Sequence, residues 1–136
     1  MGIFNRTISM LKLIYVDDEP DILELVKMSL ELTGFFKVSN CLSGEDAISR
    51  AKDFIPDLFL LDVVMRGMSG PETMQKLREI ACLRDVPVIF LTARASDVCR
   101  AELLELGAKD VITKPFDAMA LGTQISKALQ KFVESR

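Results

Sequence analysis

Five side chains in the sequence could together move a phosphoryl group: the adjacent carboxylates Asp17 and Asp18, the carboxylate of Asp62, the hydroxyl of Thr92 and the ammonium of Lys114. Three carboxylates drawn into one crevice repel each other, and their pKa values rise unless positive charge sits among them. An all-oxygen donor set suits a hard cation, most plainly Mg2+ keeping several waters. Lys114 adds a second positive charge on a flexible stem, suited to a mobile anion. Metal and lysine would neutralise the equatorial oxygens while Asp62 attacks in line, and Thr92 could donate to a bound phosphoryl oxygen. Taken singly, each residue has a plainer use. Asp17 and Asp18 beside Pro20 read as helix caps, Asp62 as a turn former, Thr92 as a loop residue and Lys114 as a solvated charge. What favours a site is that one fold would bring all five to the same edge.

That fold can be read around the run Asp57-Leu58-Phe59-Leu60-Leu61-Asp62, bounded by Pro56 and by the Gly-rich segment Arg66–Pro71. Its length and apolar character predict a buried strand of a parallel sheet, with Asp62 at its tip facing the loops. Before it, Leu11 to Val16 reads as a first strand. Pro20 opens a helix whose cap the acidic cluster would supply; Ile22, Leu25, Val26 and Leu30 form its apolar face, and Gly34 is its stop. Phe35 to Asn40 reads as a second strand, and Ser43-Gly44-Glu45-Asp46 resembles a capping box opening a helix to about Asp53. After the central strand, Pro71 begins a helix to roughly Ala81, and Asp85 to Leu91 forms a fourth strand. Ser96 caps a helix with Val98, Ala101, Leu103 and Leu104, which Gly107 ends. Asp110 to Thr113 is a short fifth strand, and Asp117 caps a last helix with Leu121, Ile125, Ala128 and Leu129 inward. Strand–helix alternation five times over calls for an α/β fold, a parallel sheet in the flavodoxin-like order 2-1-3-4-5. Asp17, Asp18, Asp62, Thr92 and Lys114 then share its carboxyl edge, where ligands of open α/β sheets bind.

Composition narrows the function classes. The chain has 136 residues, which fits one domain over 1–136 with a core from about 11 to 133. A net charge of −3 gives no sign of a nucleic-acid surface. The absence of histidine removes the usual transition-metal ligand and general base. Cys41, Cys82 and Cys99 form no Cys-x-x-Cys pair and read as reduced, ordinary core residues. Asn5, Arg6 and Lys12 interrupt any signal peptide, and Arg6 stands where a myristoylation pattern wants Ser or Thr. No run approaches a membrane span. A cytoplasmic protein is expected. No Gly-x-Gly-x-x-Gly or P-loop follows the first strand, which sets aside a nucleotide-binding enzyme.

With these residues in place, the sequence resembles a response-regulator receiver domain of two-component signalling, over nearly the whole chain from about Lys12. Asp17-Asp18 resemble the family's acidic pair, Asp62 its phosphoacceptor, Thr92 its switch hydroxyl and Lys114-Pro115-Phe116 its Lys-Pro-Phe signature. Asp62 to Gly70 is similar to the loop that follows the acceptor. The separations of 44 residues from Asp18 to Asp62, 30 to Thr92 and 22 to Lys114 are also the family's. The resemblance implies Mg2+ held by Asp18, Asp62 and the main-chain carbonyl of Val64, with Asp17 acting partly through water. It implies a cis Lys114–Pro115 peptide, and a histidine kinase or histidine phosphotransfer protein as phosphoryl donor. It implies a protein that catalyses only its own phosphorylation and dephosphorylation, acts on a downstream protein target and can dimerise, without nucleic-acid or membrane contact of its own.

Two departures from the family stand out, and two further positions bear on dephosphorylation. Arg66 replaces a usual Pro, a change expected to act on loop stiffness more than on chemistry. Val111 replaces a usual Tyr or Phe and has no ring to swing inward when Thr92 moves. Val64 and Arg94 occupy positions that in receivers influence dephosphorylation, so Arg94→Ala is expected to alter the decay rate. Rival readings remain open. A magnesium-dependent phosphatase with an aspartyl-phosphate intermediate would want an acid at Val64. A receiver-like binding module that is never phosphorylated would leave the intact acid pair, Asp62, Thr92 and Lys114 without a purpose. The chain ends at Lys131–Arg136, just past the expected last helix, which fits either a stand-alone regulator or a receiver excised from a longer output protein.

Overall fold

The computed structural model describes residues 10–93, 96–114 and 116–134. Strands β1 (Leu11–Val16), β2 (Phe36–Cys41), β3 (Leu58–Asp62), β4 (Val88–Thr92) and β5 (Asp110–Thr113) alternate with helices α1 (Pro20–Glu31), α2 (Gly44–Asp53), α3 (Gly70–Arg78), α4 (Asp97–Glu105) and α5 (Ala118–Glu134). All pairings are parallel and the order is β2-β1-β3-β4-β5, the flavodoxin-like order expected. Every residue of β3 is buried, as its apolar run requires. Alternation along the strands then sorts the core into two layers. Ile14, Val16, Phe59, Leu61, Phe90 and Val111 pack under α2, α3 and α4. Leu13, Tyr15, Leu58, Leu60, Ile89 and Ile112 pack against α1 and α5. Each large side chain so enclosed contributes about 1.5–3 kcal/mol of transfer free energy.

Local chemistry accounts for most element ends, and several differ from the sequence reading. Pro20 does open α1, but its N-cap is Glu19 without a side-chain cap bond; Asp17 Oδ1 instead accepts from the Glu19 N–H at 3.0 Å. The acidic cluster is therefore turned toward the sheet edge rather than spent on capping. Leu23, Val26 and Leu30 form the inner face of α1, while Leu25 is exposed. Ser43 caps α2 by accepting from the Asp46 N–H, yet the reciprocal half is missing, because Asp46 reaches the Leu42 N–H. A complete capping box sits at α3, between Ser69 and Glu72. That helix ends at Arg78, earlier than expected, and a 3-10 turn, Ala81–Leu83, leads toward β4. Asp57 lies just outside β3, its carboxylate accepting from the Lys12 N–H. Ser96 caps α4 and Asp117 accepts from the Met119 N–H at the start of α5. Only Leu103 of the expected α4 face is buried; Val98 and Leu104 face out. Of the three cysteines, Cys41 is buried but Cys82 is exposed. No helix among the described residues is long and apolar enough to cross a membrane.

Candidate functional site

Parallel topology delivers the five residues to one edge as expected, and the contacts there separate them into an inner group and a flanking residue. One carboxylate oxygen from each of Asp17, Asp18 and Asp62 lies within 4.8 Å of the others. Asp17 follows β1 and is fully buried; Asp62 ends β3 at 7% exposure. Lys114, directly after β5, reaches across and pairs with Asp17 Oδ2 at 3.0 Å and Asp62 Oδ1 at 3.3 Å. Its main-chain N–H is fixed to the Thr92 carbonyl at 2.7 Å, which registers the lysine against β4.

Thr92 is the last residue of β4 rather than the first beyond it, and it is buried. By alternation it continues the Val88–Phe90 row, under α3 and α4. It lines a cavity of about 730 Å3 with Val63, Val64, Cys99, Leu103 and Leu106. Asp62 continues the opposite row, Leu58–Leu60, on the α1 and α5 side. Carboxylate and hydroxyl thus share an edge while lying on different faces of the sheet.

The loop after β3 is pinned in two ways. Gly70 packs against the strand end so closely that a Cβ would run into the main-chain oxygen of Asp62, and its N–H donates to the Val63 carbonyl at 2.9 Å. Gly67 has φ +77°, a left-handed turn that glycine adopts without strain. Between them and the strand, Arg66 turns back to the site. Its N–H donates to Asp18 Oδ2 at 2.9 Å, and its Nε lies 3.4 Å from the same oxygen. Arg66, expected to act on loop stiffness more than on chemistry, thus also touches a site carboxylate directly. Val64 sits in this loop with its side chain exposed.

Electrostatics follow from the crowding. Burial, then the charge of Asp17, pushes the Asp62 carboxyl up to about 6, against the opposing pull of Lys114. Burial works against the charge of Lys114, but its hydrogen bond to Asp17 and the two carboxylate charges outweigh that and raise its pKa. The hydrogen bond from the Arg66 main chain holds Asp18 below the usual carboxylate range. The donor set fits Mg2+: three carboxylates converge, every donor is oxygen, and more positive charge would relieve the repulsion that raises Asp62. One residue that touches the site escaped the sequence reading. The Tyr15 hydroxyl donates to Asp17 Oδ2 at 2.7 Å. The period of two on β1, which puts residues 15 and 17 on one face, was the available signal. Arg94 and the Lys114–Pro115 peptide lie outside the described residues.

A family model described as the response regulator receiver domain matches residues 13–126. The chain is 39% identical over 124 residues to the transcriptional regulatory protein YvrH of Bacillus subtilis, covering 91% of this chain and 51% of that protein. It is 36% identical to the phosphate regulon transcriptional regulatory protein PhoB of Escherichia coli, covering 88% and 52%. The chain thus spans about half the length of these relatives. Among solved structures, the chemotaxis protein CheY4 of Vibrio cholerae superposes with a TM-score of 0.82 at 27% identity, over 88% of this chain and 99% of that one. The BeF3-activated DrrB receiver domain gives 0.76 at 30% identity, over 90% and 99%.

Proposed function

The chain belongs to the response regulator receiver family, and from that premise we propose that it is a phosphorylation-dependent switch in which Asp62 accepts a phosphoryl group. The observation that carries this reading is the placement of Lys114, which bridges the buried carboxylates of Asp17 and Asp62 at the strand ends. Asp18, Asp62 and the main-chain carbonyl of Val64 would hold Mg2+, with Asp17 acting through water; when bound, the metal neutralises the non-bridging phosphoryl oxygens. An Asp62 carboxylate oxygen attacks phosphorus in line. The bond from phosphorus to the donor's imidazole nitrogen breaks, and its electron pair stays on that nitrogen. Lys114 turns from the carboxylates to a phosphoryl oxygen, and Thr92 crosses from its cavity to donate to another. An equilibrium of β4, α4 and β5 then shifts, which alters binding to a downstream protein.

The donor is a phosphohistidine on a histidine kinase or phosphotransfer protein, as the family implies, and no histidine among these 136 residues could supply it. The setting is cytoplasmic. The named relatives are transcriptional regulatory proteins about twice as long, which favours an output at promoters through a DNA-binding part over direct nucleic-acid contact by this domain. A radiolabelled phosphohistidine protein mixed with the chain tests the donor class. Label should pass to the chain with Mg2+ and stay on the donor in excess chelator. Equal transfer under both conditions would rule out the metal-assisted reading.

A further inference from the structure

Tyr15 is fully buried on β1, two residues before Asp17 and on the same face. A buried phenol needs a hydrogen-bond acceptor, and this one uses a site oxygen. Asp17 Oδ2 accepts from the Tyr15 hydroxyl at 2.7 Å and from Lys114 Nζ at 3.0 Å, while Oδ1 accepts from the Glu19 N–H at 3.0 Å. An apolar residue at position 15 would fill the same core volume but leave Oδ2 with the lysine alone. The difference matters once Lys114 moves. Without the phenol, a carboxylate with no exposure that loses its ammonium partner would keep only the Glu19 N–H and whatever metal-bound water reaches it, and part of the cost of a buried charge would go unmet. The Tyr15 bond does not depend on that movement, because β1 is held between β2 and β3.

We propose that Tyr15 is a positioning residue of the phosphorylation site, whose hydroxyl keeps Asp17 satisfied when Lys114 turns to the phosphoryl group on Asp62. This rests on the phosphoacceptor reading and adds to it the residue that frees the lysine. The phenol touches neither metal nor phosphoryl; it acts through Asp17. Tyr15 is also the sole tyrosine of a chain without tryptophan, so tyrosine emission reports on this one hydrogen bond.

Tyr15→Phe removes the hydroxyl and little else. With acetyl phosphate and Mg2+, phosphoryl uptake followed by intact mass should slow about tenfold, the usual consequence of losing one hydrogen bond to a charged group. Mg2+ affinity, from competition with a metal-sensitive dye, should be no weaker than in wild type, because the freed Asp17 oxygen is no poorer an acceptor. Wild-type tyrosine emission should also change on phosphorylation, because the Asp17 oxygen that Tyr15 shares with Lys114 then turns to the phenol alone and the persisting bond tightens, and should show no donor-dependent change in Asp62→Asn. Uptake by Tyr15→Phe at the wild-type rate would overturn the proposal, leaving the phosphoacceptor reading intact. Parallel loss of Mg2+ affinity and uptake would overturn it too, reducing Tyr15 to core packing. A wild type that takes up no phosphoryl group would instead bring down the underlying reading, and this inference with it.

Discussion

Arg66 gives Asp18 two donors, and the stronger of them is one that proline could not supply. Proline has no N–H, so a receiver with the usual Pro here lacks the 2.9 Å bond to Asp18 Oδ2. The guanidinium contact is longer, and the Arg66 side chain is 88% exposed, so the ion pair itself is weak and screened by salt. Both donors occupy an oxygen that Mg2+ would use. Arg66→Pro should therefore raise Mg2+ affinity by about threefold to tenfold, the scale of one hydrogen bond to a charged acceptor discounted for the partial exposure of Asp18. Titration calorimetry at low and high salt checks it, and most of the gain should survive high salt because it comes from the main chain. Unchanged or weaker binding would show that the Arg66 contact does not compete with the metal. The sequence marks position 66 as unusual but not what its main chain touches, since that depends on how the Gly67 turn folds the loop back.

At the scale of elements, α4 is the least embedded of the five helices. Leu103 alone is buried, because Val98 and Leu104 fall on the outward side of a helix whose inner face meets only the edge of the sheet. Polar ties hold it instead. Arg100 donates to the Val111 carbonyl and to Asp110 Oδ1, both at 2.6 Å, and Arg78 donates to the carbonyls of Leu106 and Gly107 beyond its C-terminus. Val111 itself is buried and supplies no ring, so beside the packing of Leu103 the contact between α4 and β5 runs through Arg100. Arg100→Ala should cost about 1 kcal/mol, a partly exposed charged bond discounted for solvent. It should also speed hydrogen exchange in α4 while leaving α1 unchanged. Exchange accelerated equally in both helices would mean that Arg100 supports global stability and does not anchor α4 in particular. Helical spacing identified α4 correctly but not its inner face, because its apolar residues fall on more than one side.

For the molecule as a whole, the buried and crowded carboxylates of the site carry an electrostatic cost that the rest of the fold outweighs. The Asp62 carboxyl sits at about 6 in the folded protein against an ordinary value of 3.8, so the folded state holds the extra proton between those two values. Its contribution to stability is fully present below the ordinary value and is lost as pH rises through about 6. Asp62→Asn should then be more stable than metal-free wild type at pH 7.5, by on the order of 1–3 kcal/mol, with the gap closing toward pH 4. Thermal melts across that range check the sign, and a gap that widened on acidification would contradict it. The strand order and the meeting of Asp17, Asp62 and Lys114 were legible from sequence, because a parallel sheet sends every strand end to one edge. The Tyr15 hydroxyl was less so, since a tyrosine in an apolar strand looks like core until its acceptor is placed. On the proposed function, this edge forms an acyl phosphate on Asp62. Intact mass after incubation with acetyl phosphate measures it most directly. One phosphoryl adduct that requires Mg2+ and is absent from Asp62→Asn is the predicted result; no adduct on wild type with either acetyl phosphate or a phosphohistidine donor, or an undiminished adduct on Asp62→Asn, would contradict it.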